Sequence, residues 1–291
     1  MTNDLRCVIA GIDLLGESPV WSVADQTLYW VDIVGRVARS LSPSTGRRSD
    51  WSMPSTIGAL ALRRSGGALV ALRSGFTILD FETGDLAAIH DPEAELPENL
   101  FNDGACDRAG RFWAGTVHQD ETDPLGSLYR LGTDLHCTRM LSGLILANGI
   151  GWSPDNSTMY FIDSGQRRVF AFEYDLERGE MGEQRVFAEI AERDGFPDGL
   201  TVDSEGNVWV ALWDGWAIRK YSPNGVLAKE ISVPVPRPTS CAFGGPDLTT
   251  LYITSARDGL TPQELTQAPL SGSLFSLQTS VRGIPEPTFG G

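Results

Sequence analysis

The sequence of 291 residues has few of the residue types that build disulfide frameworks. It contains four cysteines with irregular spacing and no CxxC pair, so a disulfide scaffold is not indicated in a chain of this length. Cys106 and Cys241 lie in apolar, strand-like runs, where a thiol behaves as a small buried hydrophobe. We therefore predict reduced thiols and a cytoplasmic protein.

Long hydrophobic runs and positive charge are also scarce. No stretch approaches the length of a membrane span, and Met1–Ile12 shows no basic region followed by a long apolar segment, so no signal peptide is expected. The formal net charge is −15, and such a surface repels phosphate backbones and anionic lipids. We expect neither a nucleic acid nor a membrane partner. An acidic face does attract cations, although solubility accounts for most of the charge.

One segment form recurs six times along the chain. Its fullest copy is Asp198–Asp203, followed by a turn at Ser204–Asn207 and an apolar run at Val208–Trp213. The copies begin at residues 17, 57, 102, 148, 198 and 239, which gives intervals of 40, 45, 46, 50 and 41 residues. These periods are typical of a four-stranded propeller blade, which needs about 40 to 50 residues. Helical periodicity is limited to Pro262–Gln267 and Phe187–Arg193.

The repeat predicts an all-β chain that forms one domain over residues 1–291, a six-bladed β-propeller. A β-sandwich is the alternative, but it requires no repeated period. The last unit lacks a clear fourth strand, and we predict that Arg6–Gly11 supplies it. This N-terminal strand would close the ring and remove exposed sheet edges.

Polar residues occupy the start of most copies. The first strand of each propeller blade runs beside the central channel, so equivalent residues at one end of these strands converge on the axis. Asn-Gly and Asp-Gly are also ordinary turn dipeptides, but turn chemistry does not explain Glu17. Two carboxylates near one axis repel each other unless a cation lies between them. The aligned residues are Glu17, Ile57, Asn102, Asn148, Asp198 and Thr239.

We predict a metal centre with one divalent ion, held through oxygen by Glu17, Asn148 and Asp198. Oxygen donors suit Ca²⁺, Mg²⁺ or Mn²⁺, and Zn²⁺ and Fe²⁺ are further candidates. Three protein ligands leave positions for water and substrate, which is typical of a catalytic site. A nucleophilic triad is not indicated, because the chain has no Gly-x-Ser-x-Gly elbow. None of the three histidines, His90, His118 and His136, falls at the aligned position.

These motifs, in this order and spacing, resemble the gluconolactonase family, also called the senescence marker protein or regucalcin family. The resemblance covers nearly the whole chain. The segments that carry it are Gly16–Trp21, Phe101–Gly104, Ala109–Thr116, Asn148-Gly149, Pro197–Gly199, Gly206–Ala211, Thr239–Gly245, Ser255–Leu260 and Pro269–Phe275.

The resemblance implies a six-bladed propeller with Glu17, Asn148 and Asp198 as metal ligands. It also implies that Asn102 contacts the substrate and that Asp198 serves as the acid and base. The family hydrolyses aldonolactones such as gluconolactone and pentonolactones. Some of its members are better known as calcium-binding regulators or as luciferin-regenerating proteins.

The substrate contacts depart from the family pattern at one position. The family often has an arginine two residues before the substrate-contacting asparagine, and this chain has Leu100. An apolar side chain cannot replace five guanidinium donors, so a smaller, less hydroxylated or differently oriented lactone is expected. The family's acidic loop contact falls near Asp120, with Glu121 and His118 as rivals. The polar loop Val117–Gly126 is either a lid over the site or a solvated loop.

The expected reaction is metal-dependent hydrolysis of a pentono- or hexono-1,4- or 1,5-lactone to the aldonic acid. Asp198 would accept the proton of the attacking water and deliver it to the ring oxygen; direct attack by metal-bound hydroxide is the alternative. Two other functions remain open. One is an organophosphate or aryl ester hydrolase, and the other is a non-enzymatic calcium-binding regulatory propeller. We expect a monomer or a weak oligomer that binds a small-molecule sugar lactone.

Overall fold

The computed structural model describes residues 5–291, and within that range 24 strands form six antiparallel sheets of four strands each. Each sheet is one blade, and the predicted six-bladed β-propeller is confirmed. Residues 1–4 of the predicted domain lie outside the described residues. Strand β1 spans Leu5–Ile9. It is followed by the strands of the first five blades and then by those of the sixth.

Five blades are built from four consecutive strands, named here in chain order. Blade one has β2 (Gly16–Ser22), β3 (Thr27–Asp32), β4 (Val37–Leu41) and β5 (Arg48–Ser52). Blade two has β6 (Ile57–Leu62), β7 (Ala68–Leu72), β8 (Gly75–Leu79) and β9 (Leu86–His90). Blade three has β10 (Asn99–Cys106), β11 (Phe112–His118), β12 (Gly126–Leu131) and β13 (Cys137–Leu144).

The later blades follow the same plan. Blade four has β14 (Ala147–Trp152), β15 (Thr158–Asp163), β16 (Arg168–Asp175) and β17 (Glu180–Glu189). Blade five has β18 (Phe196–Val202), β19 (Val208–Trp213), β20 (Ala217–Tyr221) and β21 (Leu227–Ser232). The sixth sheet has β22 (Pro238–Gly244), β23 (Thr250–Ser255) and β24 (Leu274–Gln278) from the C-terminal part of the chain.

The N-terminal strand closes the ring, as predicted. β1 is the fourth strand of blade six, antiparallel to β24, with Leu5 opposite Leu277 and Cys7 opposite Phe275. The predicted strand Arg6–Gly11 was placed slightly too late, because the regular pairing ends at Ile9. Closure joins the two ends of the chain in one sheet.

Helix is confined to one short segment and two 3₁₀ turns in the described chain. α1 (Pro262–Gln267) occupies the first predicted helical candidate and begins with a capping box between Thr261 and Glu264. The second candidate, Phe187–Arg193, is wrong. Its first half belongs to β17, where Phe187 and Ala188 are buried, and a 3₁₀ turn spans Glu192–Asp194. No helix within residues 5–291 is long and apolar enough to cross a membrane.

The hydrophobic core lies between neighbouring blades rather than at one centre. Six clusters of buried side chains each join two adjacent blades around the ring. Trp113 of blade three meets Trp152 of blade four edge-on at 6.2 Å between ring centroids, and Trp209 of blade five meets Phe243 of blade six at 5.6 Å. Because every blade is packed on both sides, the inner strands are held at fixed positions around the axis. Cys106 and Cys241 are buried free thiols, as predicted.

Every inner strand is irregular at the same level. Regular pairing with the second strand breaks directly at the aligned polar position in all six blades. Such bulges re-aim side chains and are frequent beside active sites. The irregularities fall between Glu17 and Val20, Ile57 and Ala59, Phe101 and Asp103, Asn148 and Ile150, Pro197 and Leu200, and Pro238 and Cys241.

Glycine permits close approach of the inner strands at the bulges. A Cβ atom on Gly149 would stand 2.8 Å from the carbonyl oxygen of Asp198 and 2.7 Å from the amide nitrogen of Leu200. A Cβ atom on Gly58 would stand 2.3 Å from the carbonyl oxygen of Phe101. A side chain at either place would push two inner strands apart, as the repeat of glycine at this position suggests.

The far end of the central channel is covered by the C-terminal segment. A cavity of about 80 Å³ lies along the axis, and Ile284–Pro287 form part of its lining. This segment is fixed at the distal turns of the inner strands: the amide of Ser204 donates to the carbonyl of Arg282 at 2.8 Å, and that of Phe289 donates to Leu62 at 2.8 Å. The aligned polar residues therefore face the opposite end of the channel.

Candidate active site

Two asparagines from adjacent blades touch at the site end of the channel. The Nδ2 atom of Asn102 donates to Oδ1 of Asn148 at 3.2 Å and to the carbonyl of Ala147 at 2.9 Å. Both amide protons of Asn102 are thus engaged, which leaves its own Oδ1 to accept a hydrogen bond. The Asn148 amide also donates a hydrogen bond that lowers the pKa of Asp198. Blades three, four and five are joined through these side chains.

Glu17 and Asp198 form a pair of buried carboxylates. Their exposed fractions are 3% and 7%. Burial raises the pKa of Glu17 well above its ordinary value, and the negative charges of Asp198 and Asp103 raise it further. Burial likewise raises the pKa of Asp198, followed by the charges of Asp103 and Glu121. The fold therefore brings like charges from blades one, three and five together where water cannot screen them.

A cation is the natural partner of this arrangement. Glu17, Asn148 and Asp198 offer two carboxylates and one amide oxygen, the donor set of a hard divalent ion. Within residues 5–291, no group of three or more Asp, Glu, His or Cys side chains is placed to hold a metal ion. The predicted set has only two such side chains, and Asp103 acts on them through its charge. The residues present fit a divalent ion with open coordination positions.

Glu17 is held by its own bulge. Its Oε2 atom accepts from the backbone amide of Ser18 at 2.7 Å, so this amide engages one of the two carboxylate oxygens. Ser18 has φ of 48°, an uncommon value for a residue that also precedes a proline. Its hydroxyl accepts from the amide of Leu60 in blade two at 3.3 Å. Strain of this kind is typical of a functional position whose surroundings enforce it.

The other two aligned residues have structural roles. The Thr239 hydroxyl donates to the carbonyl of Gly16 and lies 2.9 Å from the hydroxyl of Thr254. It thereby fixes the backbone directly before Glu17. Ile57 is fully buried and contributes an apolar contact between blades one and two.

Two aspartates fix the segments that lead into the site. Asp32, at the end of β3, accepts from the amides of Leu14 and Leu15 at 3.0 Å each. Asp163, at the end of β15, accepts in the same way from Ile145 at 3.2 Å and from Leu146 at 3.1 Å. These contacts precede Glu17 and Asn148 respectively. The signal for them lies in the sequence, since both copies end their second strand in aspartate, but its role is visible only in the fold.

The loop after β11 carries two adjacent exposed acids, Asp120 and Glu121, and the second of them acts electrostatically on the site. The carboxylate of Asp120 lies 3.7 Å from Nδ1 of His118 and is 70% exposed. Glu121 has φ of 54°, and its charge raises the pKa of Asp198. The charge of Asp258, from the loop after β23, in turn helps to raise the pKa of Glu121, after partial desolvation.

Leu100 stands on the same strand as Asn102. It is partly exposed and pairs with Val117 near the end of β11. Residues two apart point to the same side of a strand, although the bulge at Asn102 alters this relation locally. The strand that carries Asn102 thus has an apolar, partly exposed residue two positions before it.

Asp103 is a site residue that the aligned position alone does not reveal. It is buried, and its pKa is raised to about 7 by desolvation, against a hydrogen bond from the amide of Gly104 at 2.7 Å. Asp103 is one of the residues that line the axial cavity. The only signal in the sequence is one extra acidic residue in the Asn-Asp-Gly copy, which is equally typical of a turn.

The chain matches a known protein family over most of its length. Residues 15–257 match the family model described as SMP-30/Gluconolactonase/LRE-like region. The chain belongs to this family. It is 39% identical to 6-deoxy-6-sulfogluconolactonase of Pseudomonas putida over 100% of both chains. It is 34% identical to regucalcin of Xenopus laevis over 99% of this chain and 98% of that protein.

A solved structure gives the same architecture. The calcium-binding protein regucalcin from Agrobacterium tumefaciens superposes with a TM-score of 0.95 at 31% identity, covering 99% of this chain and 97% of that one. Membership of the gluconolactonase family supports sugar lactone hydrolysis in general. The family resemblance deduced from the motifs is confirmed.

Proposed function

We propose that the chain hydrolyses a sugar lactone to the aldonic acid with one divalent metal ion held by Glu17, Asn148 and Asp198. The observation that carries the proposal is the burial of Glu17 and Asp198 in each other's field beside the Asn148 amide. Family membership supports the lactone as the substrate class. A calcium-binding relative of the same fold supports a divalent ion.

We assign separate roles to the bound ion, Asp198 and Asn102. A bound divalent ion would supply electrophilic polarisation of the lactone carbonyl. Asp198 accepts a proton from the attacking water and delivers it to the ring oxygen as the C–O bond breaks. The Oδ1 atom of Asn102 accepts a hydrogen bond from a sugar hydroxyl, because both protons of its amide are already bound to Ala147 and Asn148.

The mouth of the channel selects the lactone. Glu121, in the loop after β11, acts on Asp198 through its charge, and we propose that it accepts from a second sugar hydroxyl. Leu100 offers no hydrogen bond, so we propose that the substrate presents a hydrogen or a methylene group there. The Pseudomonas putida relative is named as a 6-deoxy-6-sulfogluconolactonase, which makes a sulfonated gluconolactone one candidate beside pentonolactones and unmodified hexonolactones.

A calcium-binding regulatory role is the second candidate. It is favoured by the relatives named regucalcin and uses the same three ligands. An enzyme would open a lactone once the ion is bound, whereas a regulatory protein would bind the ion without opening any lactone. An organophosphate or aryl ester hydrolase is an outcome that the same assay detects.

The test is a metal add-back assay on chelated protein. Ca²⁺, Mg²⁺, Mn²⁺, Zn²⁺ and Fe²⁺ are restored one at a time, and acid release is followed from pentono-, hexono- and 6-deoxy-6-sulfohexonolactones, a phosphotriester and an aryl ester. We expect at least one ion to restore lactone opening well above the spontaneous rate. Asp198→Asn should abolish the response at the same metal concentration, whereas Asp175→Asn, an exposed carboxylate of blade four, should retain it. Ion binding without acceleration of any lactone would contradict the enzymatic function and favour the regulatory one.

A further inference from the structure

The loop between β15 and β16 joins two of the predicted ligands. It contains a 3₁₀ turn at Ser164–Gln166 and lies at the site end of blade four, since Asn148 pairs with Ile162 and Ala147 pairs with Asp163. A Cβ atom on Gly165 would stand 2.2 Å from the side chain of Ile145. The loop is therefore packed tightly against the segment that leads into β14, the strand that carries Asn148.

The Ser164 hydroxyl donates one hydrogen bond and accepts another. It is 1% exposed, and its hydroxyl donates to the carbonyl of Pro197 at 2.5 Å. The same oxygen meets Nδ2 of Asn148 at 2.9 Å. A hydroxyl has one proton, and the Pro197 carbonyl can only accept. Ser164 must therefore accept from Asn148.

This direction determines which way the Asn148 amide faces. An amide can rotate by half a turn with little change in shape, and its hydrogen-bond partners decide which atom lies where. With Nδ2 bound to Ser164, the Oδ1 atom is turned to the side of Asn102. A carbonyl oxygen has two lone pairs, so one remains for a cation after the bond from Asn102.

The same loop also fixes the approach to Asp198. Pro197, which accepts from Ser164, directly precedes Asp198 in β18. The Arg167 guanidinium donates to the carbonyl of Gly195 and lies 3.6 Å from the centre of the Phe196 ring. The loop thus holds the backbone before Asp198 while it orients the side chain of Asn148.

We infer that Ser164 is a positioning residue for the metal site: it presents Oδ1 of Asn148 to the ion and sets the spacing between Asn148 and Asp198. This role rests on the proposed function, because it supposes an ion among Glu17, Asn148 and Asp198. Partners that orient metal ligands typically change metal affinity by about 10- to 100-fold when they are removed. No contact of Ser164 with substrate is involved.

The experiment compares two serines of blade four. Ser153 is a matched control because its hydroxyl also donates once, to Asp155 at 2.6 Å, and accepts once, from Thr158 at 3.0 Å, at the opposite end of the blade. Calorimetric titration of chelated protein with Mn²⁺ and Ca²⁺ measures the dissociation constant for wild type, Ser164→Ala, Ser164→Thr and Ser153→Ala. Thermal unfolding of the metal-free proteins reports whether each variant is folded.

We expect Ser164→Ala to weaken metal binding by about 10-fold or more, with partial recovery in Ser164→Thr, which retains the hydroxyl. Ser153→Ala should bind the ion within about twofold of wild type, although it loses the same number of hydrogen bonds. Metal affinity unchanged in Ser164→Ala, with wild type binding normally, would overturn the positioning role alone. Wild type that binds neither ion would overturn the metal site and this role together.

Discussion

Asp198 raises the pKa of Glu17 although the two residues belong to blades five and one. The pair is buried, so each ionised carboxylate lowers the stability of the protein unless a cation compensates it. Removal of one of these charges should therefore raise the stability of the metal-free protein and lower its affinity for a metal ion.

Glu17→Gln tests this opposition by removing one charge while retaining the shape. A carboxyl group whose pKa is raised on folding reduces stability at pH values above its ordinary pKa of 4.5. At pH 8 the metal-free variant should unfold at a higher temperature than metal-free wild type, by about 2–4 °C for each kcal/mol of relieved repulsion. The difference should shrink as the pH falls toward 4.5, where protonation removes the repulsion in wild type as well.

Glu93→Gln is the control for this change. Glu93 is also buried, but its carboxylate accepts from Asn99 at 3.0 Å, Thr116 at 3.0 Å and Tyr129 at 2.9 Å. Neutralising a carboxylate with three donors should lower the unfolding temperature at pH 8. If both glutamine variants lose stability equally, Glu17 and Asp198 do not repel each other as the structure indicates.

Asp198→Asn separates proton transfer from metal binding when metal occupancy is measured together with the rate. General acid–base catalysis contributes about 10²- to 10⁴-fold, so kcat should fall by at least about 100-fold at metal concentrations that saturate the variant. The pH dependence of kcat/KM should lose one ionisation. Full activity with metal bound would exclude Asp198 as the essential base.

Leu100→Arg should change substrate preference rather than the chemistry. A guanidinium that reaches the sugar adds a charged hydrogen bond of about 1.5–3 kcal/mol, so KM for glucono-1,5-lactone should fall by about 10-fold or more with kcat little changed. Leu100→Met, which keeps an apolar side chain of similar size, is the control. An unchanged KM in the arginine variant would show that position 100 does not face the sugar.

The variants Glu121→Gln and Asp120→Asn test which acid of the loop after β11 contacts the lactone. Because Glu121 is electrostatically linked to Asp198 while Asp120 lies against His118, KM should rise by about 10-fold in Glu121→Gln and by less in Asp120→Asn. The loss of one hydrogen bond to a charged group, about 1.5 kcal/mol, corresponds to about 10-fold. The reverse order would favour Asp120, the residue that the family resemblance indicates.

The blades and the gathering of Glu17, Asn102, Asn148 and Asp198 were accessible from the sequence because both depend on a period. A repeat of 40 to 50 residues sets the blade count, and residues in the same phase must meet at the same level of a ring. The closing strand followed from a missing fourth strand in blade six. The single-domain assignment over residues 1–291 stays a prediction.

The remaining features depend on local contacts that the sequence repeat does not predict. Glu121 acts on Asp198 through its charge, and the sequence does not distinguish it from Asp120. Ser164 contacts Asn148 within blade four and Pro197 across the boundary to blade five, and the repeat predicts neither contact. The C-terminal segment around Pro285 has no strand pattern, so its place at the far end of the channel could not be read from alternation.

We propose that one divalent ion lies among Glu17, Asn148 and Asp198. An anomalous difference map from crystals grown with saturating Mn²⁺ measures this most directly. We predict a peak about 2.0–2.6 Å from a carboxylate oxygen of Glu17, Oδ1 of Asn148 and a carboxylate oxygen of Asp198. Crystals with no peak at these three side chains, or with Mn²⁺ bound only elsewhere, would contradict the proposed metal site.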